Sequence, residues 1–186
     1  MKLYFATGNQ HKFAEVQRTM EEFSIEIEQI DLKGEEIQAY SVLAVVEDCA
    51  KKIAKKFSKP FIVEDTSLQV EFLNTFPGPY SSYVYKTIGP AGILKLLEGV
   101  EDRNAEFHSA IAYGEKGGVL KSVVGIAEGA ISKKIRGGKG FGFDPIFIPQ
   151  GDRKTFGEMS MDEKNKFSHR AKATRIIGEW LSERRS

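Results

Sequence analysis

Residues 3–23 read LYFATGNQHKFAEVQRTMEEF, and the spacing of their apolar residues changes partway along. Leu3 to Ala6 is a short apolar run typical of a buried strand, and Thr7-Gly8-Asn9 is typical of the turn that ends one. Beyond the turn, apolar residues recur at helical spacing at Phe13, Val16, Met20 and Phe23. A strand, a glycine-containing loop and a helix in this order predict an α/β fold.

Later segments continue the alternation. Apolar residues at helical spacing predict a second helix (Val42, Val46, Cys49, Ile53 and Phe57), and Pro60 separates it from an apolar strand, Phe61-Ile62-Val63, that ends in Glu64-Asp65-Thr66-Ser67. Two longer strands, Ala105–Tyr113 and Val119–Ala130, flank the turn-forming sequence 115–118 and predict an antiparallel hairpin. A hairpin beside parallel strands predicts a mixed sheet. Ser168 is suited to cap a last helix.

The composition describes one ordinary globular domain covering residues 1–186. Of these residues, 41% are hydrophobic and 28% are charged, which argues against disorder and coiled coil. Lys and Arg number 27 against 26 Asp and Glu, so the net charge is only +1. No overall field attracts nucleic acid or an anionic membrane, and we expect neither as a partner. Any anion site must therefore be local.

Three features predict a cytoplasmic protein. The single cysteine, Cys49, cannot form an internal disulfide. The apolar stretch at the N-terminus is too short for a signal peptide. No window approaches the roughly 20 apolar residues that span a bilayer.

The loop from Thr7 to Lys12 is the first candidate site. Free backbone N–H groups at a helix start favour phosphate, Thr7 and Asn9 add side-chain donors, and Lys12 adds a full charge. An ordinary turn with an N-cap would use the same residues. The spacing does not separate the two interpretations, because the loop lacks the glycines and the length of a P-loop.

Two acidic pairs are candidates for metal binding. Glu64-Asp65 follows an apolar strand, and ligands of α/β sheets bind outside such strand ends, where hard cations prefer carboxylate oxygens. Glu35-Glu36 could supply a second carboxylate. Both pairs could equally be solvated loop residues or helix caps.

Two further groups of residues fit a nucleotide. In Phe141-Gly142-Phe143-Asp144, glycine allows close approach of the backbone and an aromatic ring offers a stacking face for a base, although Phe143 and Phe147 could be core residues instead. Lys164 and Ser168-His169-Arg170 cluster donors near a helix start. The combination of these sites with the N-terminal loop and the acidic pairs favours a nucleotide-binding protein.

The chain resembles the inosine triphosphate pyrophosphatase family, which hydrolyses non-standard purine nucleoside triphosphates. The resemblance covers nearly the whole chain and rests on the order and spacing of six motifs: Ala6-Thr7-Gly8-Asn9 with Lys12, Val63-Glu64-Asp65-Thr66, Phe76-Pro77-Gly78-Pro79-Tyr80, Gly140-Phe141-Gly142-Phe143-Asp144-Pro145, Glu163-Lys164 and Ser168-His169-Arg170. It implies a homodimer of α/β subunits, each with a long curved mixed β-sheet, flanking helices and two lobes that enclose a central cleft.

The resemblance also implies roles for individual residues. Asp65 would be the catalytic carboxylate and, with Glu36, would bind Mg²⁺. The substrate would contact residues along the whole chain: Thr7, Gly8, Asn9, Gln10, His11 and Lys12 at the triphosphate, Thr66, then Phe141, Gly142, Phe143 and Asp144 at the base, with Lys164, His169 and Arg170 completing the pocket. Water would attack between the α- and β-phosphates of ITP, dITP or XTP, giving the monophosphate and pyrophosphate.

The chain departs from many relatives at two places. Thr66-Ser67 replaces Ser-Gly after the acidic pair, and Asp48 replaces an Asn, which leaves open whether Lys51 or Lys52 faces the phosphates. Two other functions stay open at this stage. One is a pyrophosphatase for modified pyrimidine nucleotides. The other is a non-catalytic nucleotide- or RNA-binding module that stacks bases on Phe141 and Phe143, although the low net charge argues against it.

Overall fold

The protein is described by a computed structural model in which residues 2–32 and 37–184 are placed. In these ranges the strands are β1 Lys2–Ala6, β2 Glu26–Ile30, β3 Phe61–Val70, β4 Pro77–Gly78, β5 Asn104–Glu115, β6 Gly118–Ile131 and β7 Phe147–Pro149. The helices are α1 Gln10–Met20, α2 Val42–Ala54, α3 Ser81–Thr87, α4 Gly89–Leu96, α5 Met161–Asn165 and α6 His169–Glu183.

The strands form one mixed sheet, as predicted. Its order is β2-β1-β3-β5-β6-β7, with β4 paired to β3. β1 is parallel to both β2 and β3, whereas β3, β5, β6 and β7 pair antiparallel in succession. β5 and β6 are the predicted hairpin. The sheet curls and carries helices on its faces, which confirms the expected α/β architecture.

Three apolar clusters divide the core. The first half of β3 alternates between two of them, with Ile62 packing among residues of α1 and α6 and Phe61 and Val63 packing against α2. The second half of β3 belongs to a third cluster, where Leu68 and Val70 pack with residues of α3 and α4. Residues 64–67 lie where these clusters meet, so polar side chains stand in the middle of the strand.

The predicted end of β3 at Glu64-Asp65-Thr66-Ser67 was wrong. The strand continues to Val70 because β5 pairs with it throughout, from Phe61 opposite Gly114 to Val70 opposite Ala105. The neighbouring strand β1 does stop here, since its last residue, Ala6, lies opposite Val63. The acidic pair is therefore in mid-strand, just beyond the carboxyl end of β1, where a cleft can open.

The helices agree with the sequence in position, with shifts at their ends. α1 stops at Met20, and a 3₁₀ turn over Glu21–Phe23 follows it. α2 ends at Ala54 rather than near Phe57. The Ser168 hydroxyl accepts a hydrogen bond from the Ala171 N–H and caps α6 as predicted. Among the placed helices, none is long and apolar enough to cross a membrane.

Candidate active site

A cavity of about 700 Å³ opens beside the middle of β3. Residues from α1, α2, β3, α3, the loop over 141–144 and α6 line it. It brings together most of the substrate-binding residues expected from the sequence: Thr7, Gly8, Asn9, His11, Lys12, Thr66, Phe141, Gly142, Phe143, Asp144, His169 and Arg170, together with Asp65. Gln10 and Lys164 are not in its lining. Glu36, the other expected metal ligand, lies outside the described residues.

The loop before α1 is a capped turn that also faces the cavity. The Asn9 side-chain oxygen accepts hydrogen bonds from the backbone N–H groups of His11 (2.9 Å) and Lys12 (3.2 Å), and the Thr7 hydroxyl oxygen accepts one from the Asn9 N–H (3.1 Å). The N-cap interpretation is therefore correct. The cap does not use the Asn9 amide nitrogen or the Thr7 hydroxyl hydrogen, and both remain available as donors.

Lys12 lies between the two carboxylates of β3. Its Nζ is 2.9 Å from Glu64 Oε2 and 3.4 Å from Asp65 Oδ1. The Glu64 side chain is fully buried, whereas 23% of the Asp65 side chain is exposed. Lys12 can reach both carboxylates because β1 has ended one residue earlier along β3. The positive side chain thus fills the space next to the acidic pair.

The two neighbouring carboxylates have opposite pKa shifts. Burial alone would raise the pKa of Glu64, but the charges of Arg170 and Lys12 outweigh it and hold the pKa far below the usual range. Burial also raises the pKa of Asp65, and the charge of Lys12 does not fully compensate. Glu64 is therefore an anchored carboxylate, and Asp65 is the carboxylate in need of a further cation.

A buried ion network forms one wall of the cavity. The Arg170 Nε donates to Glu64 (3.0 Å), and the other two guanidinium nitrogens donate to Glu15 and to the Thr66 hydroxyl. Lys164 Nζ donates to Glu15 (2.6 Å) and to Asp144 (2.7 Å). Lys164 thus stands behind the cavity wall and positions Asp144. Every buried charge in this network has a partner, as a low-dielectric interior requires.

His169 is the polar group without protein partners in this wall. It is buried, and its ring stacks on Phe107 with centroids 4.5 Å apart and planes 11° apart. Neither ring nitrogen has a hydrogen-bond partner in the described structure. Burial, reinforced by the charge of Arg170, lowers the pKa of His169 well below its usual value. The imidazole is therefore neutral and can offer a ligand one donor and one acceptor.

The aromatic loop, residues 141–144, has two phenylalanines that border the cavity, and one of them is also buried in the core. Phe143 is buried in the cluster with α3 and α4, where the edge of its ring meets Tyr85 at 5.8 Å between centroids. Phe141 is half-buried, and its backbone N–H donates to the Asp144 carboxylate at 2.9 Å. Phe141 is thus the better stacking face, and Phe143 is mainly a core residue, as is Phe147.

Several residues at the site were not predicted from the sequence. Glu15 resembles an exposed helix residue in sequence, yet it anchors both Lys164 and Arg170. The sequence does contain a signal for this role. Glu15 follows His11 by one helical turn, so both side chains lie on the same face of α1. Tyr85 and Lys86 of α3 also line the cavity, and Lys86 has no ion-pair partner within the described ranges.

α2 contributes differently from what was expected. Neither Lys51 nor Lys52 lines the cavity, and Lys52 forms an ion pair with Asp48 at 2.7 Å. Asp48, the residue that stands where many relatives have Asn, therefore pairs with Lys52 along the surface of α2. Cys49 is partly buried against the α2 core, as expected for a small apolar residue, and also borders the cavity.

Comparison with known proteins identifies the family of the chain. The family model described as Ham1 matches residues 3–180. Proteins named dITP/XTP pyrophosphatase from Methanopyrus kandleri and Pyrococcus horikoshii are 47% and 48% identical, over 97% of this chain and 96% and 97% of theirs. A HAM1 protein structure from Coxiella burnetii aligns with a TM-score of 0.82 and 28% identity, covering 98% of this chain and 99% of that one. The chain belongs to the Ham1 family.

Proposed function

We propose that this protein hydrolyses non-standard purine nucleoside triphosphates (ITP, dITP and XTP) to the monophosphate and pyrophosphate. Relatives named dITP/XTP pyrophosphatase align with this chain over nearly their whole length. The observation that carries the proposal is Asp65, a carboxylate with incompletely compensated charge that borders a cavity also lined by a lysine, an aromatic ring and a neutral imidazole.

The triphosphate would bind at the mouth of the cavity near α1. Lys12 supplies charge, Thr7 and Asn9 supply donors, and Gly8 leaves room for a phosphate to approach the backbone. Gln10 lies in the same turn, although outside the described lining. Lys86 of α3 supplies a further cation, and its lack of a carboxylate partner in the described ranges leaves its charge available to the terminal phosphates.

Mg²⁺ is the cation proposed for this site. The donor set suits it, because Asp65 offers a partly exposed carboxylate whose charge Lys12 only partly offsets. Asp65 and Glu36 would hold the ion. When bound, it would neutralise phosphate oxygens at the bond to be broken. Lys12 must then move from the carboxylates to the phosphates, a transfer that suits its flexible side chain.

Asp65 would also act on the attacking water. A carboxylate that borders the cavity can accept a proton from a water bound beside the phosphates. Asp65 would orient the water and take its proton as the oxygen attacks between the α- and β-phosphates. Glu64, with its strongly lowered pKa, is a poor base and instead fixes Lys12 and Arg170.

The base would lie against Phe141, with Thr66 and the backbone of Gly142 near it. A purine with a 6-oxygen can accept a hydrogen bond from the neutral His169. Arg170 and Lys164 stand within 5.3 Å of the Phe141 ring centroid, and both are paired with buried carboxylates. Arg170 also carries only hydrogen-bond donors, which favours an oxygen over an amino group at position 6.

The assembly and location of the protein are part of this proposal. A homodimer is supported by exposed apolar residues on and beside α3, namely Tyr80, Tyr83 and Ile88, which are 46%, 69% and 47% exposed. A sedimentation measurement would separate monomer from dimer. We place the activity in the cytoplasm, where nucleoside triphosphates are used, and treat residues 1–186 as one catalytic domain.

Product analysis tests the activity directly. The purified protein is incubated with Mg²⁺ and, separately, ITP, XTP, dITP, ATP, GTP and modified pyrimidine triphosphates. We expect one pyrophosphate and one monophosphate per inosine or xanthosine nucleotide consumed, with Gln17→Ala, an exposed change on α1, behaving like the unmodified chain. Release of orthophosphate, a preference for pyrimidines or no turnover would refute the proposal.

A further inference from the structure

Three groups contact the ring of Phe141. The His11 imidazole stacks on it with centroids 5.2 Å apart and planes 17° apart. Lys164 Nζ and Arg170 Cζ lie 5.1 Å and 5.3 Å from the ring centroid. These are ordinary contact distances for aromatic and cation–π pairs. His11 and Phe141 both line the cavity, so the ring that a base would use is already covered.

Two of the three groups are locked in place. Lys164 is buried and held by Glu15 and Asp144 at 2.6 and 2.7 Å. Arg170 is buried and held by Glu15, Glu64 and Thr66. Moving either cation would leave buried carboxylates unpaired, at a large energetic cost. Neither can give way to a ligand.

His11 can leave without such a loss. Residue His11 is exposed, and across the described ranges its ring makes no hydrogen bond, ion pair or aromatic contact other than the stack on Phe141. The capping bond to Asn9 uses the backbone N–H of His11, so the helix start survives a rotation of the side chain. His11 is therefore the exchangeable contact on this ring.

We infer that His11 occupies the base-stacking face of Phe141 in the nucleotide-free protein and is displaced when the purine binds. The inference rests on the proposed function and refines it. His11 was expected to contact the triphosphate, but its geometry makes it a competitor of the base. Because it covers the ring until a base replaces it, His11 weakens the binding of every base by the same factor.

Substitution of His11 shows whether its side chain competes with the base or helps to bind it. An aromatic pair of this kind is equivalent to about a 2- to 12-fold change in affinity. We expect His11→Ala to lower the dissociation constant for IMP and the KM for ITP by a factor in this range, with kcat unchanged. His11→Phe keeps a ring over Phe141 and should restore the weaker binding. The matched control is Gln17→Ala, an exposed residue of the same helix.

Nuclear magnetic resonance gives a readout that does not depend on turnover. Stacking on Phe141 should shift the ring-proton signals of His11 upfield, and saturating IMP should return them towards the values of an exposed histidine. Phe141→Leu identifies the shift by removing it. Tighter binding to His11→Ala together with this signal change supports the inference.

The contrary results are equally clear. Weaker binding of IMP to His11→Ala would show that His11 closes over the base, and an unchanged dissociation constant would show that it does not compete; either overturns the inference. Failure of the unmodified protein to release pyrophosphate from ITP would instead refute the proposed activity, whatever His11 does.

Discussion

At the scale of single residues, the site depends on two adjacent carboxylates with different surroundings. Glu64 forms ion pairs with Lys12 and Arg170 and accepts a hydrogen bond from the Ser109 hydroxyl, so its negative charge is stabilised although it is buried. Asp65 points to the other face of β3 and has Lys12 as its cationic partner in the described structure. The same strand therefore carries a fixed anion and a reactive one.

Asp65→Asn should lower turnover without lowering the melting temperature. The amide keeps the shape but loses the charge needed to hold a cation and accept a proton, so we expect turnover to fall by about 10²-fold or more. The raised pKa of Asp65 shows that its negative charge is unfavourable in the folded state, so the melting temperature should stay the same or rise. Steady-state kinetics and calorimetry check the two parts. Wild-type turnover under saturating Mg²⁺ would remove Asp65 from the mechanism.

Individual roles were only partly predictable from the sequence. The motifs identify Lys12, Asp65 and Phe141, because local spacing places them at a loop, a strand and a glycine-rich turn. The burial of Glu15 could not be predicted in this way. Its partners Lys164 and Arg170 lie 149 and 155 residues away, so only the tertiary fold shows that a glutamate on a helix is an anchor and not a solvated residue.

At the scale of elements, close packing of α6 on β6 positions the recognition residues. Gly125 of β6 lies directly beneath the start of the helix, and a Cβ added there would be 2.2 Å from the His169 carbonyl oxygen and 2.4 Å from the Ala173 nitrogen. Only a residue without a side chain permits this approach. The position of His169 and Arg170 therefore depends on a glycine in the neighbouring strand.

Gly125→Ala should displace α6 and destabilise the protein. Overpacking of this kind costs about 1–3 kcal/mol, which corresponds to a melting temperature lower by about 2–12 °C in a domain of this size. The KM for ITP should rise as well, because His169 and Arg170 move with the helix. Gly138→Ala is the matched control, since a Cβ there meets nothing within 4 Å. Equal melting temperatures for the two variants would contradict the packing argument.

The elements themselves were largely predictable, and their limits were not. Apolar periodicity located β1, the β5–β6 hairpin, α2 and α6, since each has a regular pattern of buried positions. It failed at the end of β3, where polar residues 64–67 interrupt the apolar pattern. Pairing with β5 keeps the strand extended through them, and that pairing is a long-range interaction that local periodicity does not record.

At the scale of the whole molecule, the cavity wall joins distant parts of the chain through buried charges. Glu15 from α1, Glu64 from β3 and Asp144 from the aromatic loop meet Lys164 and Arg170 near the C-terminus. His169 lies among these cations and is kept neutral. Stability should therefore depend on pH above the range in which ordinary carboxylates titrate.

His169 should make the protein less stable as pH falls from 7.5 to 5.5. Its folded pKa is depressed, so below about pH 6.5 the unfolded chain binds a proton that the folded chain does not. Stability is then lost with falling pH, by up to about 1.4 kcal/mol per unit. His169→Phe keeps the stack on Phe107 and should flatten the dependence. Parallel curves of melting temperature against pH for the two proteins would contradict this origin.

Selection among purines also belongs to this scale, because the charges of the entire wall act on the base. Inosine and xanthosine present an oxygen at position 6, whereas adenine presents an amino group. Arg170 lines the cavity and carries only donors, so an amino group near it is left unpaired, at a cost of about 1–3 kcal/mol. We therefore expect kcat/KM for ITP and XTP to exceed that for ATP by about 5- to 150-fold. GTP shares the 6-oxygen and should be disfavoured through its 2-amino group.

Arg170 and His169, the two polar side chains of α6 that line the cavity, should differ in their effect on selectivity. Arg170 is fully buried and anchors Glu15 and Glu64, so Arg170→Ala would disrupt the fold as well as recognition. A neutral His169 with both nitrogens unpartnered can turn a donor to an oxygen or an acceptor to an amino group. His169→Phe should therefore lower kcat/KM for ITP and ATP by similar factors, and their ratio should change less than about threefold. If the ratio of kcat/KM for ITP to that for ATP instead fell to about one in His169→Phe, His169 would be the residue that selects between the bases. Equal kcat/KM for ATP and ITP in the unmodified protein would refute the predicted preference for ITP.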